Sequence, residues 1–148
     1  MTRHVWFMHL KDNRMCNPDK FSDVKFQVCK QHNIIAIGWY GVCSGENQAF
    51  DRAYQALTNM RRGDLVWVQN PKCKEYYLCE ILNDKTVEFP EELALLDIAK
   101  GRICEYHTVK STEPICQMLP VCRYTIQAIT DSKICEKTYL LFAQLTKI

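Results

Sequence analysis

Apolar residues along the chain change between strand-like and helix-like spacing, which predicts a mixed order of short strands and helices. Residues 4–10, HVWFMHL, are mostly aromatic, β-branched or long apolar residues and predict a buried first strand. Residues 33–39, NIIAIGW, form a nearly continuous apolar run, which predicts a second strand buried on both faces or inside a closed barrel. Residues 64–71 and 75–82, DLVWVQNP and EYYLCEIL, predict a third and a fourth strand that pair as a hairpin.

Helical spacing dominates two segments in the first half of the chain. Residues 18–31 begin with Pro18, which suits the first helical position because its missing N–H has no partner there. The apolar stripe of this helix is expected on Phe21, Val24, Val28 and Cys29. Residues 44–64 contain the clearest helical stripe, and Gly63 is the expected C-terminal stop.

The second half of the chain is less regular. Residues 89–101 predict a short helix that its final glycine ends, and residues 102–110 alternate as a fifth strand. Residues 112–120 contain two prolines and predict a loop, whereas residues 122–129 fit a strand or a helix equally well. Residues 131–148 open with a capping residue and continue at helical spacing, so they predict a terminal helix.

This order of elements favours one α+β domain built as a small mixed β-barrel of five to six strands with flanking helices. A doubly wound sheet would require strands and helices to alternate throughout. The 148 residues contain no internal repeat, low-complexity segment or linker, so residues 1–148 are expected to form that single domain.

Composition points to a soluble, cytoplasmic protein without a metal or other cofactor. No apolar run reaches the roughly 18 residues of a membrane span, and the N-terminus lacks the features of a secretory signal. None of the nine cysteines forms a C-x-x-C pair, so they are interpreted as small buried residues or incidental surface thiols. The net charge of +2 is too small for a long electrostatic track on a nucleic acid.

Catalytic motifs are missing from the sequence. It has no G-x-S-x-G elbow, phosphate-binding loop, dinucleotide fingerprint or H-E-x-x-H pair, and nothing local joins a particular cysteine to a histidine. The sequence therefore predicts a binding protein and not an enzyme.

Aromatic residues at the end of the second predicted strand suggest a binding surface. Trp6 and Trp67 lie within predicted strands, where core packing is the ordinary interpretation. Trp39 and Tyr40 differ because they stand where a strand ends, and the glycines on either side are expected to leave open space beside them. Such a planar surface suits stacking of a flipped or single-stranded base.

The segment MRRGDLVWV places two cations near the same strands. Arg61 and Arg62 either complement the dipole at the end of a helix or face phosphates beside the aromatic strand. Asp64 either hydrogen-bonds the turn around Gly63 or contributes to a pocket.

These segments resemble the PUA-like β-barrel superfamily, and within it the EVE-type domains and their relatives in bacterial restriction and defence proteins. HVWFMHL, IIAIGWYG and MRRGDLVWVQNPKCKEYYLCEI carry the resemblance, with weaker matches in LLDIAKGRICEYHTVK and RYTIQAIT. The chain departs from the pattern at Cys79, where relatives often have glycine, and at Tyr106 and His107, near a position where many have tryptophan.

The resemblance implies a module that reads a modified or flipped base of DNA or RNA in an aromatic pocket at the barrel mouth. The pocket would be lined by Trp6, Met8, Trp39, Tyr40, Asp64 and Trp67. The phosphate-facing side would carry Arg61, Arg62 and Lys110. A protein partner would supply any enzymatic activity, and the resemblance suggests a role in restriction or defence.

Two other functions fit the same sequence. The barrel could be a scaffold for protein–protein interaction in defence or counter-defence, or the pocket could sense a free nucleotide or another small ligand.

Overall fold

A computed structural model describes residues 3–10, 18–38, 48–70, 75–119 and 125–147 of the chain. The strands in those ranges are β1 (Val5–His9), β2 (Ile34–Ile37), β3 (Leu65–Gln69), β4 (Tyr76–Ile81), β5 (Val87–Glu88), β6 (Lys100–Val109) and β7 (Ile126–Ile129). The helices are α1 (Pro18–Gln31), α2 (Gln48–Asn59), α3 (Pro114–Met118) and α4 (Ser132–Leu145), with a 3₁₀ helix at Glu91–Leu96.

All of these strands belong to one mixed sheet, in the order β2-β6-β4-β3-β1-β7, with β5 also paired to β6. Only β1 and β3 run parallel, and the other pairs between described strands are antiparallel. The long strand β6 serves two partners, because residues 100–103 pair with β2 and residues 104–109 pair with β4. The sheet curls into a half-barrel with helices beside it, which confirms the expected small PUA-like barrel.

Alternation along the strands divides the core between the two faces of the sheet. Met8 and Val66 belong to the cluster on the face that α1 and α2 cover. Phe7 and Trp67, their neighbours along the same strands, belong to the cluster on the face that α3 and α4 cover.

Helix α2 lies against both edge strands of the sheet, β2 and β7, and also against β6. Its C-terminal end is held by Arg102, a fully buried residue of β6. The Arg102 guanidinium donates hydrogen bonds to the carbonyl oxygens of Leu57 and Met60, at 2.7 and 2.5 Å, and to the carbonyl and side-chain oxygens of Asn83, at 2.6 and 2.9 Å. These bonds satisfy carbonyls that the end of a helix leaves without a partner.

Most elements expected from the spacing are confirmed. The first four strands, the β3–β4 hairpin, the helix over 18–31 and the terminal helix are all present, and residues 126–129 of the ambiguous segment form a strand. Asp131 is the N-cap of α4, since its carboxylate accepts hydrogen bonds from the backbone N–H groups of Lys133 and Ile134.

Two expectations in the second half of the chain are wrong. The segment expected to be a loop contains α3, which Pro114 begins in the position that tolerates proline. The helix expected over 89–101 is a 3₁₀ helix that ends at Leu96, because Asp97 adopts a left-handed backbone conformation with φ of 59°. Gly101 ends no helix and instead pairs with Ala36, in a place where a Cβ would lie 2.0 Å from the Ile35 carbonyl oxygen.

The buried face of α1 also differs from the expected stripe. Val24 is 44% exposed, whereas Lys25 and Phe26 are buried; Cys29 is buried, as expected. A lysine can occupy this interior position because its ammonium group finds an anionic partner there, described below. In α2, the helix ends at Asn59, and Gly63, with φ of 92°, belongs to the turn that enters β3.

Candidate nucleic-acid interface

Asp64 joins the beginning of β1 to the turn between α2 and β3. Its buried carboxylate accepts hydrogen bonds from the backbone N–H of His4 at 3.0 Å and from that of Arg61 at 2.9 Å. It also accepts one from the indole N–H of Trp6 at 3.1 Å. Three donors of the protein therefore use this carboxylate, which supports the interpretation that Asp64 holds the turn and orients Trp6.

The three tryptophan and methionine side chains expected from β1 and β3 do not line one pocket. Trp6 is half-buried and packs on the face of the sheet that α1 and α2 cover, where Met8 is fully buried. Trp67 lies on the opposite face, fully buried, and its indole N–H donates to the Thr138 hydroxyl at 3.1 Å. Strand alternation therefore separates Trp67 from Trp6. Met8 shares a face with Trp6 but is enclosed in the core, so only Trp6 of the three reaches the surface.

The end of β2 is fixed by a buried ion pair. Trp39 and Tyr40 lie outside the described residues, but the preceding Gly38 is buried against Asp97. A Cβ on Gly38 would lie 2.2 Å from the Asp97 carboxylate, so this glycine permits a close contact and not the open space expected from the sequence. The same carboxylate lies 3.0 Å from the ammonium nitrogen of Lys25, and both side chains are shielded from solvent.

Sequence reasoning missed the ion pair between Lys25 and Asp97. The two residues are 72 positions apart, and each is the kind of residue that ordinarily lies at the surface. Lys25 does fall between the apolar residues of α1, which was a weak signal of burial.

The three cations expected to face phosphate lie at opposite ends of the sheet. Arg61 and Arg62 are exposed in the turn that precedes β3, whereas Lys110 is exposed after the last residue of β6. The end of β6 pairs with the beginning of β4, which in turn pairs with the end of β3. Lys110 therefore lies near the end of β3, whereas the arginines precede its beginning, so a strand length of about 17 Å separates them. One nucleotide cannot contact all three.

The two neighbouring arginines differ in their charge environment. Arg62 donates two hydrogen bonds, both of 3.1 Å, to the exposed carboxylate of Asp84, and this guanidinium lowers the pKa of Asp84 below its ordinary value. No ion pair between described residues involves Arg61. Arg61 is therefore the better candidate for a phosphate contact.

The register adds two further residues beside Arg61. Since β1 and β3 are parallel and begin opposite each other, Arg3 and His4 lie at the same end of the sheet as the turn that carries Arg61. Both are exposed. We call Arg3, His4 and Arg61 the basic edge; only Arg61 was expected from the sequence.

Three of the described cysteines lie in the interior of the protein. Cys29, Cys79 and Cys104 are fully buried, and burial raises the pKa of Cys29 to about 12, so this thiol stays protonated. No group of three histidine, cysteine or carboxylate side chains among the described residues is arranged to hold a metal ion. None of the described helices has the length and apolarity that crossing a bilayer requires.

Comparison with known proteins yields a likeness of fold. No protein-family model and no curated protein matches the chain. The YTH domain of the MRB1 protein of Zygosaccharomyces rouxii, solved in complex with N6-methyladenosine RNA, superposes with a TM-score of 0.50 at 12% identity. That likeness covers 99% of this chain and 90% of the domain. A protein of Agrobacterium tumefaciens, also 12% identical, reaches a TM-score of 0.45 over 91% of this chain and 92% of its own.

The likeness to the YTH domain bears on the architecture alone. YTH domains have a PUA-like fold related to that of EVE domains, so the resemblance seen in the sequence is confirmed at the level of the fold. The more specific assignment to the EVE type stays a prediction. The chain therefore shares its fold, a PUA-like half-barrel, with that YTH domain.

Proposed function

We propose that this protein binds single-stranded RNA and reads a modified base, with N6-methyladenosine as the first candidate. The observation that carries the proposal is the half-buried Trp6 ring, which Asp64 orients beside the basic edge, in a fold that an RNA-bound YTH domain shares. An aromatic face next to a cation is the combination that binds an unstacked base and its phosphate.

The proposed pocket uses Trp6 together with Trp39 and Tyr40, the aromatic residues that follow β2. Asp64 and Met8 support Trp6 from within the protein, and Trp67 is left out because it is buried on the other face of the sheet. Arg61 is the proposed phosphate contact. RNA is favoured over DNA because the nucleic acid in the YTH complex is RNA. Participation in restriction or defence rests on the sequence resemblance alone.

Binding of short single-stranded RNA, measured by fluorescence anisotropy, tests the proposal. Oligonucleotides of one sequence would carry N6-methyladenosine or adenosine at the central position, with a DNA version alongside. We expect the modified RNA to bind most tightly. Trp39→Ala should weaken binding by about 1–3 kcal/mol, or roughly 5- to 150-fold, because one stacking partner is lost.

Leu140→Ala is the matched control, since Leu140 is an exposed apolar residue of α4 on the opposite side of the sheet. It should bind as the parent protein does. If Trp39→Ala remained folded and retained full affinity for every oligonucleotide that the parent binds, the pocket assignment would be wrong. If the parent bound no nucleic acid but retained a free nucleotide or a single protein on purification, the alternatives of ligand sensor or interaction module would replace the proposal.

A further inference from the structure

A groove lies between the beginning of β1, the end of β7 and the first turns of α4. Its volume is about 490 Å³, within the range of about 300–1,000 Å³ that small-molecule sites occupy. The lining residues that carry the argument are Arg3, His4, Thr130, Ser132, Glu136 and Tyr139. The groove opens on the face of the sheet opposite Trp6, but at the same end of the strands.

The β1 side of the groove is cationic and firmly held. Arg3 is 44% exposed and lies with its guanidinium 5.0 Å from the centre of the Phe142 ring. The carboxylate of Glu80 is 3.8 Å away, too far for a hydrogen bond, so the donors of Arg3 are not occupied by it. The Tyr139 hydroxyl donates to the Arg3 carbonyl oxygen and thereby ties the beginning of β1 to α4.

The basic edge connects this groove to the proposed base pocket. The Asp64 carboxylate holds the backbones of His4 and Arg61 together, and Arg3 Nε lies 4.0 Å from the place where Gly63 would carry a Cβ. Exposed cationic side chains therefore continue from the turn beside Trp6 to the mouth of the groove.

The opposite wall has acceptors and hydroxyl groups in place of cations. The first backbone N–H groups of α4 are occupied by the carboxylate of Asp131, so they are not available to a phosphate. Glu136 repels a phosphate from the same wall, whereas its carboxylate and the hydroxyls of Thr130 and Ser132 can bond ribose hydroxyls or base amino groups. The opposite charges of Arg3 and Glu136 thus orient a nucleotide with its phosphate toward the β1 side of the groove.

We propose that this groove holds the nucleotide adjacent to the base that is read, with its phosphate bound by Arg3 and His4. The inference rests on the proposed function and extends it. The ligand is then an RNA chain that crosses the end of the β-sheet, and not a free nucleoside. Affinity should therefore depend on chain length, and each phosphate contact should contribute about 0.7 to the slope of log affinity against log salt.

Two pairs of variants test the groove against an N6-methyladenosine oligonucleotide and the free nucleoside, by isothermal titration calorimetry. Arg3→Met keeps much of the apolar stem of the side chain and removes its charge. It should weaken oligonucleotide binding about tenfold, because one charge-assisted hydrogen bond is lost. It should also lower the slope of log affinity against log salt. Lys110→Met, at the other end of the sheet, is its control. Ser132→Glu adds a negative charge to the groove at a helix N-terminus, where an acidic residue favours folding, and Ser132→Gln is its uncharged control.

The expected result is that Arg3→Met and Ser132→Glu weaken oligonucleotide binding, leave nucleoside binding unchanged, and differ from their controls. If the parent protein bound the oligonucleotide and both variants bound it equally well, the groove assignment would be overturned while the proposed function stood. Equal losses for nucleoside and oligonucleotide would also overturn it, because the groove would then not be specific to the neighbouring nucleotide. A parent protein that bound no RNA would overturn both.

Discussion

Single polar groups in the interior determine how this fold is held together at the residue scale. Asp64 accepts three hydrogen bonds from two separate segments, and Arg102 donates four to a helix end and a loop. Both side chains are buried, and their hydrogen bonds offset the cost of removing a charged group from water. The thiols of Cys29 and Cys79 behave differently, since burial raises the pKa of both and keeps them neutral.

Cys29 should make the protein less stable at alkaline pH. The unfolded thiol ionises above about 9.0, whereas burial raises the pKa of the folded thiol to about 12. The stabilising contribution is therefore complete below pH 9 and is lost as the pH rises, at about 1.4 kcal/mol per pH unit. Urea unfolding should show that the parent loses about 2 kcal/mol more than Cys29→Ala between about pH 8 and about pH 10.5. Equal losses in the two proteins would show that Cys29 ionises alike in both states.

At the scale of elements, α1 is connected to the segment before β6 by the buried pair of Lys25 and Asp97. The pair lies beneath the end of β2, where Gly38 has no room for a side chain. Replacing a buried ion pair with neutral residues can cost little, but removing one partner leaves an uncompensated charge in the core. The two single substitutions and the double substitution should therefore not be additive.

Lys25→Met should destabilise the protein by about 3–5 kcal/mol because it removes the ammonium group that the buried Asp97 carboxylate faces. Asp97→Asn should also destabilise the protein, because it removes the carboxylate that faces the buried Lys25 ammonium group. Asparagine is chosen because it tolerates the left-handed backbone conformation of residue 97. Chemical denaturation of the double variant should give a smaller loss than the sum of the two single variants. Strict additivity would mean that the two charges do not interact across this contact.

At the scale of the whole molecule, the half-barrel is completed by α2. The sheet ends in two edge strands, β2 and β7, and α2 packs against both of them and against β6 between. Arg102 binds the end of α2 to β6, so it connects the helix to the sheet that the helix completes.

Arg102→Met should lower the free energy of unfolding by several kcal/mol, since each buried carbonyl left unpaired costs about 1–3 kcal/mol. Arg102→Lys should recover little of that loss because an ammonium group cannot reproduce the planar set of donors. Arg62→Met is the control for loss of a cation, because the Arg62–Asp84 pair is exposed and should contribute little. Unfolding of Arg102→Met at the parent's denaturant midpoint would contradict this role of the arginine.

Local patterns in the sequence were sufficient to predict most of the elements, their order and the class of fold. Apolar spacing along the chain reports whether a segment can bury one face as a helix or a strand, and Asp131 and Pro18 mark helix starts through local chemistry. The motif RRGD correctly pointed to a turn beside a tryptophan strand, and the structure supplies the hydrogen bonds from Trp6 and Arg61 to Asp64.

Which of these residues meet could not be predicted in the same way, because it depends on how distant segments pack. Register separates Lys110 from Arg61, strand alternation separates Trp67 from Trp6, and Lys25 becomes an interior residue because Asp97, far along the chain, lies beside it. Arg3 and His4 join Arg61 only through the parallel pairing of β1 with β3. Periodicity is a local property of the chain, whereas register, face and ion pairing depend on contacts between distant segments, and those contacts position the candidate site.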